Sequence, residues 1–318
     1  MLYHIPTAQD ITTAHERIKD YIHRTSVLTN TFINKQVGAD LYFKCENFQK
    51  VGAFKARGGM NTVLSLSNDE LRKGVATHSS GNHAQAIALA AKLAGAQAFI
   101  VMPSSAPRIK KAAVKDYGAE VIECEPTLIA RETTLQNVVA ETGATFIHPY
   151  NDYRVIAGQA TAAKELIEDV DDKLDAIVTP VGGGGLLSGT ALSTYYFSNG
   201  TKVFAGEPEG ADDAYKSFNK GELIPQVSPK SVADGLLTSL GEKPFQIIMQ
   251  YVTDILLVNE IEIINAMRMV WERMKIIIEP SCAVPLAAVL RNNEQFKNQR
   301  IGIILTGGNV DLGKLPFE

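Results

Sequence analysis

Seven short apolar runs, separated by stretches of helical pattern, fix the kind of fold this chain can adopt. They are Leu41 to Cys45, Val75 to His78, Ala98 to Met102, Glu120 to Cys124, Ala176 to Thr179, Val203 to Gly206 and Ile301 to Leu305. Between them lie amphipathic or alanine-rich segments such as Ala84 to Ala94, Ala106 to Tyr117, Leu128 to Thr142 and Val155 to Ile167. Strand and helix in alternation predict an α/β fold with mainly parallel sheets covered on both faces. The series from about Gly74 to Asn151 is self-contained, so residues 74–151 read as a smaller domain inserted into a larger one built from 1–73 and 152–318. A chain of 318 residues, 45% of them hydrophobic, is long enough for two such units. The polar stretch Glu222 to Asp234 reads as a loop.

Charge and cysteine content remove several classes of function. A formal net charge of −4 and the lack of a dense Lys/Arg block give no electrostatic reason to expect a nucleic-acid partner. Cys45, Cys124 and Cys282 are too scattered for a disulfide framework or a thiolate metal site, which points to a reducing compartment. No window approaches the roughly 20 apolar residues of a membrane span, and the N-terminus carries no basic stretch followed by an apolar run. A soluble, cytoplasmic protein acting on a small molecule is therefore expected, with a homodimer as the commonest symmetric assembly.

The chemistry begins at Gly182-Gly183-Gly184-Gly185, directly behind a buried strand and ahead of Leu186-Leu187-Ser188. Four glycines there remove every Cβ that would keep backbone N–H groups from closing on an anion at a helix N-terminus. A P-loop would need Gly-Lys-Ser/Thr, and Leu186 follows Gly185 instead. The dinucleotide fingerprint lacks its last glycine, although Glu207 lies about 20 residues on, where a ribose-binding carboxylate would stand. A plain strand-to-helix turn is the remaining alternative.

Other segments carry comparable alternatives. Lys55, approached through Val51, Ala53 and Phe54, suits an amine whose pKa is lowered by desolvation so that it can attack a carbonyl; it could equally be a first-turn residue on a solvated face. In Ser79-Ser80-Gly81-Asn82-His83, one of the serines could simply cap a helix. His78 and His83 have no third partner nearby for a zinc site. Thr306-Gly307-Gly308-Asn309 follows a buried strand and is a second candidate ligand floor. Glu207, Glu209, Asp212 and Asp213 could bind a hard cation, or Asp212 or Asp213 could merely open a helix from Ala214 to Phe218.

Taken in order, the lysine segment, the Ser79 to Gln85 segment, the tetraglycine run and the Thr306 segment resemble the fold-type II pyridoxal-phosphate enzymes, in the branch of serine racemases and serine/threonine dehydratases. The resemblance spans nearly the whole chain. It implies a tryptophan-synthase-β-like fold, with two open twisted sheets flanked by helices in a large and a small domain. It implies that Lys55 attaches the cofactor and later takes the substrate Cα proton. Gly182, Gly183, Gly184, Gly185 and Leu186 would hold the cofactor phosphate, Phe54 would adjoin the cofactor, and Asn82 would meet its ring hydroxyl. Thr306 would face the pyridine nitrogen, where the family usually has serine or cysteine.

On the substrate side the resemblance implies binding by Ser79, Ser80, Asn82, His83 and Arg131. Ser80 would act on the cofactor face opposite Lys55, a place where many threonine dehydratases have alanine. Glu207, Asp213 and the carbonyl of Ala211 match a divalent-cation site for Mg²⁺, Ca²⁺ or Mn²⁺. The activity implied is dehydration of L-serine or L-threonine, with serine racemisation as companion or principal reaction and 3-hydroxyaspartate as an open alternative. A sensor that binds pyridoxal phosphate or a nucleotide without chemistry is the alternative of a different class.

Overall fold

The computed structural model describes residues 2–106 and 108–317. Pro107, inside the expected helix Ala106 to Tyr117, lies outside the described residues, as do Met1 and Glu318 at the ends of the segments expected to form a large domain. Among the described residues ten strands form two sheets. The strands are β1 (Val27–Leu28), β2 (Asp40–Cys45), β3 (Val75–His78), β4 (Ala98–Pro103), β5 (Glu120–Cys124), β6 (Thr145–Phe146), β7 (Ala176–Pro180), β8 (Lys202–Pro208), β9 (Asp254–Val258) and β10 (Arg300–Leu305).

The larger sheet runs β1-β2-β10-β7-β8-β9, parallel throughout except for β1. Its strands are apolar because both faces are covered. Ile301, Ile303 and Leu305 of β10 join one apolar cluster with Val284 and Leu286 of the helix Pro280–Arg291, while Ile304 turns to the other face beside Leu166 and Leu186. That alternation is the two-residue period of a strand. The smaller sheet runs β5-β4-β3-β6, all parallel. Helix Asn82–Ala94 packs Ala84, Ile87 and Ala91 against Val75, Ile100 and Met102, and helix Leu128–Thr142 packs Leu135 and Val138 against Ala76 and Val101 on the opposite face.

All seven expected strands are present, extended by one to three residues at most, and the segment 222–233 carries no helix or strand. The reading of the sequence passed over β1 and β6, which have only two residues each, and β9. Among the described residues no helix is long and apolar enough to cross a membrane.

Three helices bring the ends of the sheets together: Lys55–Leu64, Tyr153–Asp169 and Gly185–Phe197. They approach so closely that a Cβ on Gly158 would lie 2.6 Å from the Cα of Gly58, and one on Gly189 would lie 2.6 Å from the backbone nitrogen of Ala160. Glycine is what allows such crossings.

Candidate active site

Lys55 is the first residue of its helix, and the strand end of β10 pins the loop that precedes it. The N–H of Phe54 donates to the carbonyl of Thr306 at 3.0 Å, that of Gly308 donates to the Gly52 carbonyl at 3.0 Å, and Ala53 bridges to Gly307. Thus oriented, the Lys55 amine turns inward, not onto a solvated face, and donates to the carbonyl of Pro149 at 3.1 Å. It lies 5.1 Å from the centre of the Phe54 ring. Burial lowers its pKa to about 8, against the opposing pull of the Glu279 carboxylate. Near neutral pH the free, nucleophilic amine is therefore far more abundant than for an ordinary lysine.

Phe54 and Leu186 pack in one apolar cluster with Ile177 and Ile304, which sets the lysine segment beside the glycine run. Behind Pro180 the chain makes one more ladder bond, from the N–H of Val181 to the Gly206 carbonyl at 3.0 Å, and then leaves the sheet. Among the described residues, the N–H groups of Gly182, Gly183 and Gly184 have no hydrogen-bond partner. Gly184 is left-handed at φ +89° and is the N-cap of helix Gly185–Phe197. A Cβ on Gly183 would run into the Tyr150 ring, and one on Gly184 would come within 2.6 Å of Leu240 and Pro244. Free donors on a side-chain-free turn at a helix N-terminus fit a phosphate dianion.

Lysine and glycine run meet across the loop 148–151. His148 Nδ1 accepts the N–H groups of Tyr150 at 3.3 Å and Asn151 at 3.0 Å. Accepting at Nδ1 leaves the ring proton on Nε2. Burial, with the charges of His78 and Lys55, holds this imidazole neutral with a pKa of about 4. Asn151 Oδ1 accepts the Lys243 N–H at 2.9 Å, tying the loop to helix Glu242–Tyr251.

Glu279 was missed by sequence reasoning. Its carboxylate is buried, accepts from Asn82 Nδ2 at 2.9 Å, and its own N–H donates to the Gly307 carbonyl at 3.0 Å. Asn82 Oδ1 in turn accepts from Asn309 Nδ2 at 2.9 Å. Burial, then the charge of Asp234, raises Glu279 to about 7. The sequence signal was a lone acid closing the apolar run Ile276-Ile277-Ile278, ahead of Pro280. Thr306 is buried, with its side chain beside the Cys282 thiol.

The serine-rich turn departs from the simple capping account. Helix Asn82–Ala94 is capped by Gly81 with no side-chain bond, and Ser79 Oγ accepts the Gly81 N–H at 3.3 Å instead. With β3 ending at His78, the backbone must turn immediately, and the serines fall one or two residues short of the cap. Ser80 stands half-buried in that turn. His83 is buried with Nε2 at 3.4 Å from the Ile147 carbonyl, leaving Nδ1 with no partner. Burial, reinforced by the charge of Lys55, holds His83 well below its usual pKa. Arg131, on helix Leu128–Thr142, directs Nε at the Thr127 carbonyl, and its charge reaches both His78 and Tyr150.

Glu207 and Asp213 are both buried. Glu207 Oε1 and Oε2 accept the N–H groups of Ala214 at 3.0 Å and Tyr215 at 2.7 Å, while Asp213 takes Gln226 Nε2 at 3.1 Å and the Leu240 N–H at 2.7 Å. Helix Asp213–Lys220 begins as expected, yet neither Asp212 nor Asp213 caps it by a side-chain bond. Burial raises Glu207 well above its usual pKa and Asp213 to about 6, and each is pushed further by neighbouring acids. Among the described residues no three His, Cys, Asp or Glu side chains are arranged to hold a metal. Carboxylate oxygens are nonetheless donors of the kind a hard cation takes.

Comparison with known proteins agrees with this chemistry. The family described as pyridoxal-phosphate dependent enzyme matches residues 18–307. A β-hydroxyaspartate dehydratase of Paracoccus denitrificans is 52% identical over 315 residues, 99% of this chain and 100% of that protein. A serine racemase of Dictyostelium discoideum is 50% identical, over 97% of this chain and 96% of its own. A crystal structure of serine racemase from that organism matches with a TM-score of 0.93, covering 96% of this chain and 99% of that one.

Proposed function

Because this chain belongs to the pyridoxal-phosphate dependent enzymes, we propose that it is an ammonia-lyase converting L-serine or L-threonine to a 2-oxo acid and ammonia, with serine racemisation as a companion activity. The observation that carries the reading is the inward-facing Lys55 amine with its pKa lowered to about 8. When bound, pyridoxal phosphate supplies the aldehyde that captures an amino group and the ring that withdraws electrons from Cα. The open N–H groups of Gly182, Gly183 and Gly184 would hold its phosphate, with Leu186 and Phe54 beside it. Asn82, already oriented by Glu279 and Asn309, would hold its ring hydroxyl, and Thr306 would offer the ring nitrogen a neutral hydroxyl.

Lys55, as the free amine, removes the Cα proton on one face of the substrate. Ser80 serves the opposite face, which is what racemisation requires. Ser79 and Asn82 receive the substrate carboxylate, the neutral His83 lines the same subsite, and residues 74–151 form a small mobile domain that closes over it. Glu207, Asp213 and the Ala211 carbonyl take Mg²⁺ or a similar ion as a structural activator. The enzyme works as a homodimer in the cytoplasm.

Arg131 supports a second reading, in which 3-hydroxyaspartate is the substrate. Its guanidinium reaches the site's edge electrostatically, and among the described residues only the Thr127 carbonyl engages it. A second substrate carboxylate would find a partner there.

Purified protein given L-serine, L-threonine and 3-hydroxyaspartate with Mg²⁺, assayed for keto acid and for enantiomer together, separates these readings. Keto acid from serine or threonine, abolished by Lys55→Ala, is the expected result. Turnover of 3-hydroxyaspartate alone favours the second reading. A protein that binds the cofactor but turns over none of the three is a sensor, and the proposal falls.

A further inference from the structure

The glycine run that offers its donors so openly is also the part of the site with least reason to hold its shape. Glycine loses more backbone freedom on ordering than any other residue, and here four stand in sequence. What lies against them is Tyr150. A Cβ on Gly183 would collide with its ring, and one on Gly185 would meet the Tyr150 Cβ at 3.0 Å. On the ring's other side a Cβ on Gly241 would lie 3.1 Å from Cδ2, so the ring sits between two stretches of bare backbone. Those stretches are themselves joined, because the N–H of Gly241 donates to the Gly183 carbonyl at 3.2 Å.

Two contacts fix the ring in place. His148 packs edge-on at 4.6 Å between ring centres while its Nδ1 holds the Tyr150 N–H. The phenol, half-buried and raised in pKa chiefly by burial, faces the Thr238 side chain. Thr238 belongs to the loop that Asp213 grips at the Leu240 N–H and whose Leu240 side chain abuts Gly184. The residue immediately before Tyr150 is Pro149, whose carbonyl holds the Lys55 amine.

We propose that Tyr150 is a positioning residue for the cofactor phosphate: its ring, seated against Gly183 and Gly241 with its hydroxyl towards Thr238, keeps the Gly182 to Gly184 donors preorganised. The cofactor itself rests on the reading above; the role of Tyr150 is additional to it. Preorganised donors bind an anion more tightly because the ordering cost is met before binding. The loop thereby joins the phosphate end of the site to its amine end through two consecutive residues.

The test compares wild type, Tyr150→Phe, Thr238→Val and the double variant. Affinity of the apoprotein for pyridoxal phosphate is read by absorbance, and affinity for inorganic phosphate, which does not involve Lys55, by calorimetry. Each single variant should weaken both ligands about fivefold, the size of one net hydrogen bond, and the double variant should lose no more than either single. Tyr150→Ala, which removes the ring, should lose about a hundredfold if it folds. The melting temperature of the apo Tyr150→Phe protein should stay at the wild-type value. Unchanged phosphate affinity in Tyr150→Phe, additive losses, or a fall in apo stability matching the fall in affinity would overturn the role. A wild-type protein that takes up no pyridoxal phosphate would instead overturn the cofactor reading.

Discussion

Glu165 and Glu207 are each only 1% exposed, yet the protein treats their charges in opposite ways. Glu165 faces a complete set of partners. Arg57, buried two residues beyond Lys55, holds it with Nη1 at 2.8 Å and Nη2 at 2.7 Å and takes Glu46 in the same fork at 2.7 Å through both Nε and Nη2. Lys44 adds a contact at 2.8 Å. Burial alone would raise Glu165, but the bonds and charges of Arg57 and Lys44 bring it to about 2. Glu207 is hydrogen-bonded by the backbone N–H groups of Ala214 and Tyr215 and has the acids Asp213 and Asp212 nearby, so burial drives it toward protonation. Internally paired charge belongs to the frame that carries Lys55; charge left uncompensated marks a place where something from outside is expected. Lys55 is of the second kind, since its desolvation outweighs the opposing pull of Glu279.

Breaking the paired side should produce the largest effect on stability. Arg57→Met leaves Glu46 and Glu165 buried without their fork, and the loss expected is about 3–5 kcal/mol in a urea or thermal unfolding experiment. Removing the acid instead, by Glu165→Gln, leaves Arg57 its second carboxylate and should cost less. If Arg57→Met unfolds no earlier than wild type, the contrast drawn between the two glutamates is wrong.

The unpaired side should respond to cations and to pH. Saturating Mg²⁺ is expected to stabilise the protein by about 2.7 kcal/mol at a hundred times its Kd, and Asp213→Asn should remove most of that gain. A carboxyl whose folded pKa is raised takes up a proton on folding, so its contribution is present below the unfolded pKa and lost as pH rises through the folded one. For Asp213 that window runs from 3.8 to about 6, and for Glu207 it extends well above 4.5. Stability without a cation should therefore decline across this range. The Mg²⁺ gain should grow over the same range, because the metal competes with those protons. A gain independent of pH would remove Glu207 and Asp213 from consideration.

Lys55 gives a smaller effect. Its rate of modification by a small aldehyde in the apoprotein should rise with pH through a midpoint near 8, well below the 10.5 of an ordinary lysine. A midpoint near that of the surface lysines would mean the amine is solvated.

What could be read from the sequence follows the same division. The strands, the glycine run, Lys55 and the Glu207 to Asp213 cluster announce themselves through local order: an apolar run, four glycines, acids gathered at a strand end. The ion cluster was invisible because Lys44, Glu46, Arg57 and Glu165 are ordinary charged residues in sequence and become buried partners only when β2, the Lys55 helix and the Tyr153–Asp169 helix meet. Glu279 and Tyr150 escaped for the same reason. Each reaches the site from an element far from its partner in sequence, Glu279 by 197 residues to Asn82. The serine cap failed for a local reason, since the strand runs one step too close to the helix for Ser79 or Ser80 to reach it.

The subtlest expected change joins the two kinds of site. Glu279 is a buried acid raised to about 7, so near neutral pH it carries part of a negative charge close to Lys55, and that charge raises the amine's pKa against the larger effect of burial. Glu279→Gln keeps an oxygen for Asn82 Nδ2 to donate to and deletes the charge. The aldehyde-modification midpoint of Lys55 should then move further down, by a few tenths of a pH unit, corresponding to about half a kcal/mol. Pyridoxal phosphate affinity should change little, because the glycine donors do not contact Glu279. An upward movement would mean that the substituted amide admits water to the amine, and burial, not the carboxylate charge, would then be what Glu279 contributes.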